Sequence, residues 1–558
     1  MVIVTYSLTA FILDFQRSYW LLIVELLIGS LIGFQWVTDH YCPQQKSDLQ
    51  TTLVYWIDEQ GNTKVAALVI GLLSIIMIGI MTTEPHHLIG VVGMLVFVFL
   101  SWLSSYDPWH VNWRPVVSGL FLQLLVGAII LEVPICARAF AWLGQQVIIL
   151  LNYTTAGSTF VYGYLADSGM SDTGFIVNNN NNNEGEGNED VFHLNPPFYF
   201  SVLSVVFFFA ALVSVLHYLG LVGYAVKKMG VSLAIVMGTT GPESFNCIAN
   251  MFLSMTESPL LIKPMLQEGL TDSELHAIMT AGFASVAGSV FAAYISFGAS
   301  PSDLLAAGIM SAPAALAVSK IVYPETHKQF PTRQQRQQSS NENDNNETST
   351  GTRTTTPQQQ RPQKLTRIES LFAFQMPKSE DPDIISAAST GASIAVNIVL
   401  QIGGQLIAML ALIAMINGFL NGIGALIDVP TLSLQLITSY VFYPFAYLMG
   451  VSANDCLQVG QLIGTKVIIN EFAAYAELGI MIKNGTISLR SKTIATYALC
   501  GFSNLGSIAV TVGVLSTLMP PSKKSNILRL VVSAMITGNT VCFMTACVAG
   551  LFYTPPNE

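Results

Sequence analysis

The chain is predicted to be an all-α polytopic membrane protein, with about eleven transmembrane helices plus two re-entrant helical hairpins in an inverted internal repeat. Three observations lead there. Of 558 residues, 52% are hydrophobic and only 10% charged, and the mean hydropathy is +0.54, too apolar for a water-soluble globule. Apolar runs of spanning length recur along the whole chain. Two further apolar stretches are studded with polar and helix-breaking residues, and each precedes a helix interrupted by glycine and serine.

The elements follow in order. Trp20–Val37, Val65–Met81, His87–Trp102 and Val116–Val133 are read as spans, so residues 1–110 supply extra N-terminal helices. Cys136–Tyr162 mixes Arg138, Gln145, Gln146 and Asn152 with apolar residues, which suits an interfacial helix that need not cross. It belongs to a segment, 111–237, whose polar insertion at 166–195 includes the run Asn178–Asn183. Phe198–Leu219 and the shorter Gly223–Thr239 are the next spans.

The central stretch is Gly238–Met265. Its pieces CIANMFLSM and SPLLI are each about half the ~20 residues a spanning helix needs, so a re-entrant hairpin is expected over 240–266. An intramembrane carboxylate such as Glu257 is costly, about 2.5–3.5 kcal/mol on insertion scales, and is by default a substrate or ion ligand. Glu274–Gly298 is an apolar helix broken by Gly282, Ser285, Gly288 and Ser289, and Asp303–Tyr323 completes a first repeat over 238–323. Residues 324–382 carry the composition of a disordered loop, whose eight Lys and Arg place it in the cytoplasm.

The second repeat, 383–558, uses the same grammar. Ile384–Asn397 reads as an interfacial helix, Ile398–Leu420 as a span, and 440–482 as the second broken segment. Ile494–Leu515 is the second unwound helix and Leu528–Phe552 the last span. GFASVAGS at Gly282–Ser289 matches GFSNLGS at Gly501–Ser507, and each lies downstream of a buried carboxylate, Glu257 or Glu471. Paired discontinuous elements at corresponding places in two halves point to a transporter's central site. Counting spans from the cytoplasmic loop puts Met1 inside and Glu558 outside, with the sequon at Asn484 facing out.

The remaining features exclude other classes. No Cys or His spacing suits a metal, and the cysteines beside apolar runs read as small buried hydrophobes. The net charge of −10 lies largely in loops, and nucleic acid is not a partner. No HExxH or GxSxG arrangement supports an enzyme, although Glu257 and Glu471 are formally a pair of carboxylates.

NWRP at Asn112–Pro115, the Gly238–Met265 stretch, SAPAALAVSK at Ser311–Lys320, NEFAAY at Asn470–Tyr475 and CGFSNLGSI at Cys500–Ile508 resemble the concentrative nucleoside transporters. The likeness runs from about Val111 to the C-terminus. It implies a multi-pass plasma-membrane homotrimer, in which a scaffold domain surrounds a transport domain that carries nucleosides by elevator-type alternating access. It further implies that Met255, Thr256 and Glu257 face the base, that Val290 and Phe502 pack on its ring, and that Glu471, Asn504 and Ser507 hold the ribose hydroxyls. Asn250 and Ser285 side chains with Leu253 and Val286 carbonyls would bind Na⁺, the co-transported ion; no other cofactor is expected, and membrane lipid is the surrounding partner.

Proton coupling through Glu257 or Glu471 stays open. Ser254-Met255 stands where many members have Gly-Gln, which exchanges an amide for a thioether and leaves base preference open, leaning to purines.

Overall fold

A computed structural model describes residues 88–166, 198–326 apart from 269, isolated positions from 371 to 379, and 381–553 apart from 427, 429 and 430. Every regular element within these residues is helical. The expected spans at Trp20–Val37 and Val65–Met81, the Asn178–Asn183 run and most of the 324–382 loop lie outside them.

The first helices are α1 (Leu88–Leu103), α2 (Trp113–Glu132) and α3 (Pro134–Tyr162). The helix expected over 136–162 is α3, a continuous run of 29 residues, about 43 Å at 1.5 Å per residue, long and apolar enough to cross and largely exposed. Gly144, Thr154 and Ser158 face the protein, while Trp142, Tyr153 and Phe160 are exposed.

Helices α4 (Ser204–Tyr218) and α5 (Leu221–Met237) follow, the limbs of a pair bent by 74°. The bend falls at Gly220, whose φ of +77° disfavours any side chain. With 17 residues, α5 reaches about 25 Å, short of the ~30 Å hydrocarbon thickness.

Next come α6 (Gly241–Ala249), α7 (Ser258–Leu261) and α8 (Lys263–Glu268), then α9 (Asp272–Ala284), α10 (Gly288–Ser296) and α11 (Pro301–Val322). Capping boxes start α6 and α9: the Thr240 and Thr271 amides donate to Glu243 and Glu274 at 2.7 and 2.9 Å. Both ends are drawn together by Lys320 at the end of α11, which pairs with Glu243 at 2.6 Å and donates to Ser273 at 3.0 Å. Thr240 also donates to Glu274 at 2.7 Å.

Helix α12 (Ile384–Leu426) is a single rod of 43 residues, so the expected interfacial helix and span are one element. At about 65 Å it is twice the hydrocarbon thickness and must tilt or project. Helix α13 (Leu434–Leu448) precedes the pair α14 (Cys456–Ile468) and α15 (Glu471–Lys483). The segment expected as one broken piece from 440 is therefore divided: α13 is separate, and the chain reverses at 469–470. Gly460 and Gly464 lie against Ser439 and Thr438 so closely that a Cβ on either would collide, and this lets α13 and α14 touch along their length.

Helices α16 (Leu489–Leu499), α17 (Leu505–Leu518) and α18 (Lys524–Leu551) complete the chain. Helix α11 and the C-terminal half of α18 are almost wholly buried, with α9, α16 and α2 packed around them, whereas α3 and α12 are mostly exposed.

Candidate functional site

Two interrupted helices cross at the centre. Between α9 and α10 the residues Ser285–Ala287 are extended, and between α16 and α17 so are several of Cys500–Asn504. The breaks touch: the Phe502 amide donates to the Ser285 carbonyl at 3.3 Å. A Cβ on Gly501 would lie 2.9 Å from the Phe283 carbonyl oxygen and 2.6 Å from Cys542 Sγ, so only glycine admits this approach.

The turn of the first hairpin rests on the first break. The Phe252 carbonyl faces Gly288, and Met255 packs on Gly282 while its Sδ lies 3.9 Å from the Thr511 hydroxyl of α17. Glu257 turns back on its own hairpin and accepts from the Ser254 amide at 3.3 Å, and Ser254 pairs with Thr256. Asn250 is fully buried; its Oδ1 accepts from Ser258 at 2.7 Å and its Nδ2 donates to the Asn246 carbonyl at 2.9 Å. Ser285 donates weakly to Gly282 at 3.4 Å, and Leu253, Val286 and Val290 are buried beside it.

The turn of the second hairpin meets the second break. Buried Glu471 accepts from Asn504 Nδ2 at 2.9 Å and from the Tyr294 hydroxyl at 3.3 Å. Asn504 caps α17 by accepting from the Ser507 amide at 2.8 Å, and Asn470 caps α15 by accepting from Ala473 at 3.0 Å. Tyr294 stacks on Tyr475 with centroids 4.4 Å apart.

The helix ends give this arrangement its electrostatics. Helices α6 and α9 bring C-terminal carbonyls, partly negative, toward Asn250 and Ser285, which favours a cation. Helices α15 and α17 bring N-termini, partly positive, toward Glu471. In the second repeat a tethered cation already serves the C-terminal ends: fully buried Lys466 donates to the Ala498 carbonyl in the last turn of α16 at 3.0 Å. The corresponding contact in the first repeat is neutral, Asn246 to the Ile278 carbonyl at 3.2 Å.

The structure thus joins Glu471, Asn504 and Ser507 directly, and sets Met255 against α17. Three contributors were not anticipated. Tyr294 and Thr511 look like ordinary helix residues in sequence. Gln405, whose Oε1 faces Gly506 beside Asn504, had a signal: a glutamine within the apolar run of α12.

Interrupted helices that present polar groups inside an apolar body define a membrane transporter. The comparisons agree. Residues 303–550, 92–165 and 199–301 match the families described as Na⁺ dependent nucleoside transporter C-terminus, its N-terminus, and nucleoside recognition. The sodium/nucleoside cotransporter 2 of Mus musculus is 34% identical over 568 residues, covering 99% of this chain and 75% of the relative. Solute carrier family 28 member 3 of Rattus norvegicus is 38% identical over 484 residues, 84% of this chain and 59% of the relative. Among solved structures, CNTnw in an inward-facing substrate-bound state superposes with a TM-score of 0.69 at 32% identity, covering 83% of this chain and 97% of that one. A CNTnw variant in the intermediate 1 state gives 0.70 at 31%, covering 84% and 100%.

The chain belongs to the concentrative nucleoside transporter family. That family consists of transporters, so Glu257 and Glu471 are not a catalytic pair.

Proposed function

We propose that this protein imports nucleosides across the plasma membrane by symport with Na⁺. The observation that carries the reading is the buried Glu471–Asn504 pair at the point where a hairpin turn meets an interrupted helix. A carboxylate accepts from two adjacent hydroxyls and an amide both donates and accepts, the chemistry of a ribose diol. Ser507 lies beside them, with Met255, Thr256 and Glu257 toward the base and Val290 and Phe502 against its ring. The similarity to sodium/nucleoside cotransporters supports the same substrate and ion.

Sodium is held by Asn250 and Ser285 side chains and the Leu253 and Val286 carbonyls, neutral oxygens at two helix C-termini that suit a hard cation. The bodies α6–α10 and α14–α17 move together past a scaffold that includes α3 and α12, an elevator form of alternating access. Exposed apolar faces of α3 and α12 are available to lipid and to the other subunits of a homotrimer. The test is uptake of radiolabelled adenosine and uridine by transport-deficient cells in Na⁺ or choline at two pH values. Sodium-dependent uptake supports the reading; uptake that follows acid alone moves coupling to a carboxylate.

A further inference from the structure

A cavity of about 610 Å³ lies outside this central site, between the C-terminal part of α12, the start of α13 and the arms of the second hairpin. Its wall is mixed: Asn417, Ser433, Gln435, Gln458, Gln461 and Glu477 alternate with Leu436 and Leu457. No Lys or Arg lines it. Among the described residues Glu477 is held by neutral donors, Thr465 at 3.2 Å and Gln461 at 3.4 Å, so its charge is not balanced by an ion pair. The Gln458 side-chain oxygen is buried with no hydrogen-bond partner among the described residues. Such an atom costs about 1–3 kcal/mol unless something binds it.

Gln435 also lines a separate slot of about 10 Å³, room for one water, that reaches Ile468 and Ile469, next in sequence to the turn at Asn470 and Glu471. Ile413 of α12 closes the slot's other side. Along α12, Gln405 lies at the Asn504 end, Ile413 in the slot and Asn417 in the cavity, each about two turns or one turn from the next. One helix therefore walls the central site, the constriction and the cavity, over about 18 Å from Gln405 to Asn417.

We propose that this cavity is a second, weaker nucleoside site, a waiting station from which the substrate passes the Ile413–Ile468–Ile469 constriction to reach Glu471. The chemistry selects a neutral polyhydroxylated molecule. Glu477 and Gln458 take ribose hydroxyls, beside Asn417 and Gln435, which bond each other at 2.9 Å, and the uncompensated carboxylate repels phosphate, so nucleotides are refused. The volume lies in the range of small-molecule sites, about 300–1,000 Å³, and is far more than a bare cation needs. This inference rests on the nucleoside reading of the central site.

The test is equilibrium binding of radiolabelled adenosine to the purified full chain in nanodiscs. Two components per protomer are expected; Glu471→Gln weakens the tight one and spares the weak one. Glu477→Gln weakens the weak one about tenfold and spares the tight one. Adenosine monophosphate at equal concentration displaces neither. A second measurement does not depend on the fold tolerating a change at Glu477: Asn417→Cys, placed in the Glu471→Gln chain, should be protected from a thiol reagent by millimolar adenosine. A single component that ignores Glu477→Gln, together with no protection of the cysteine, overturns the waiting site and leaves the central site standing. Absence of any adenosine or uridine binding overturns the nucleoside reading itself.

Discussion

Glu471→Gln separates charge from shape at the ribose end of the site. Glutamine has the size of glutamate, and its oxygen still accepts from Asn504, which donates at 2.9 Å. What is lost is the charge-assisted part of each hydroxyl contact. Hydrogen bonds to charged groups contribute about 1.5–3 kcal/mol against 0.5–1.5 for neutral ones, so two hydroxyls lose about 2–3 kcal/mol together. At 1.4 kcal/mol per factor of ten, KM for a ribonucleoside rises about 30- to 150-fold. A 3′-deoxynucleoside makes one such contact and loses about half that free energy, a factor of about 5 to 12. The assay is initial-rate uptake of radiolabelled adenosine and 3′-deoxyadenosine by proteoliposomes, wild type and variant at saturating Na⁺. If wild type takes both with equal KM, or the substitution affects both equally, Glu471 does not read the ribose.

Other changes test different contacts. Asn250→Ala should raise the Na⁺ concentration for half-maximal uptake about tenfold or more at unchanged protein level; an unaltered Na⁺ curve removes Asn250 from the cation site. Gly501→Ala puts a methyl 2.9 Å from the Phe283 carbonyl, backbone that cannot swing aside, and should cost about 1–3 kcal/mol, read as a lower melting temperature by tryptophan fluorescence; an unshifted midpoint contradicts the close crossing. Lys320→Met leaves Glu243, 1% exposed, without its ammonium and should destabilise by about 3–5 kcal/mol, with Lys320→Arg milder; equal melting points would mean that the buried pair holds nothing. Met255→Gln restores an amide facing the base and should raise uridine uptake relative to adenosine, which competitive uptake would measure.

The fold class was legible because a bilayer forces long apolar runs, and the breaks were legible because Gly282, Ser285 and Gly288, and later Gly501 and Gly506, interrupt runs that otherwise continue. What composition hides is where a helix goes. Nothing in Cys136–Tyr162 distinguishes a helix lying on the interface from one crossing it, since a few polar residues on an otherwise apolar rod permit either. The bend at Gly220 depends on one dihedral, and the union of Ile384–Asn397 with Ile398–Leu420 on the absence of any breaker between them. Within the site, Glu471 announced itself as a carboxylate in apolar surroundings, and Asn504 came from the family resemblance of the CGFSNLGSI motif. Tyr294 is recognisable only from what it touches, 177 residues away, and Lys466, a lysine inside the second broken segment, shows its role only in its bond to the Ala498 carbonyl.

The most direct test of coupled import is accumulation by purified protein in sealed proteoliposomes, with adenosine and uridine outside and an imposed inward Na⁺ gradient. Internal nucleoside should exceed the external concentration, and the excess should vanish when the Na⁺ gradient is collapsed while a proton gradient is held constant. Equilibration without accumulation, or accumulation that persists without Na⁺ and follows the proton gradient, would contradict sodium symport.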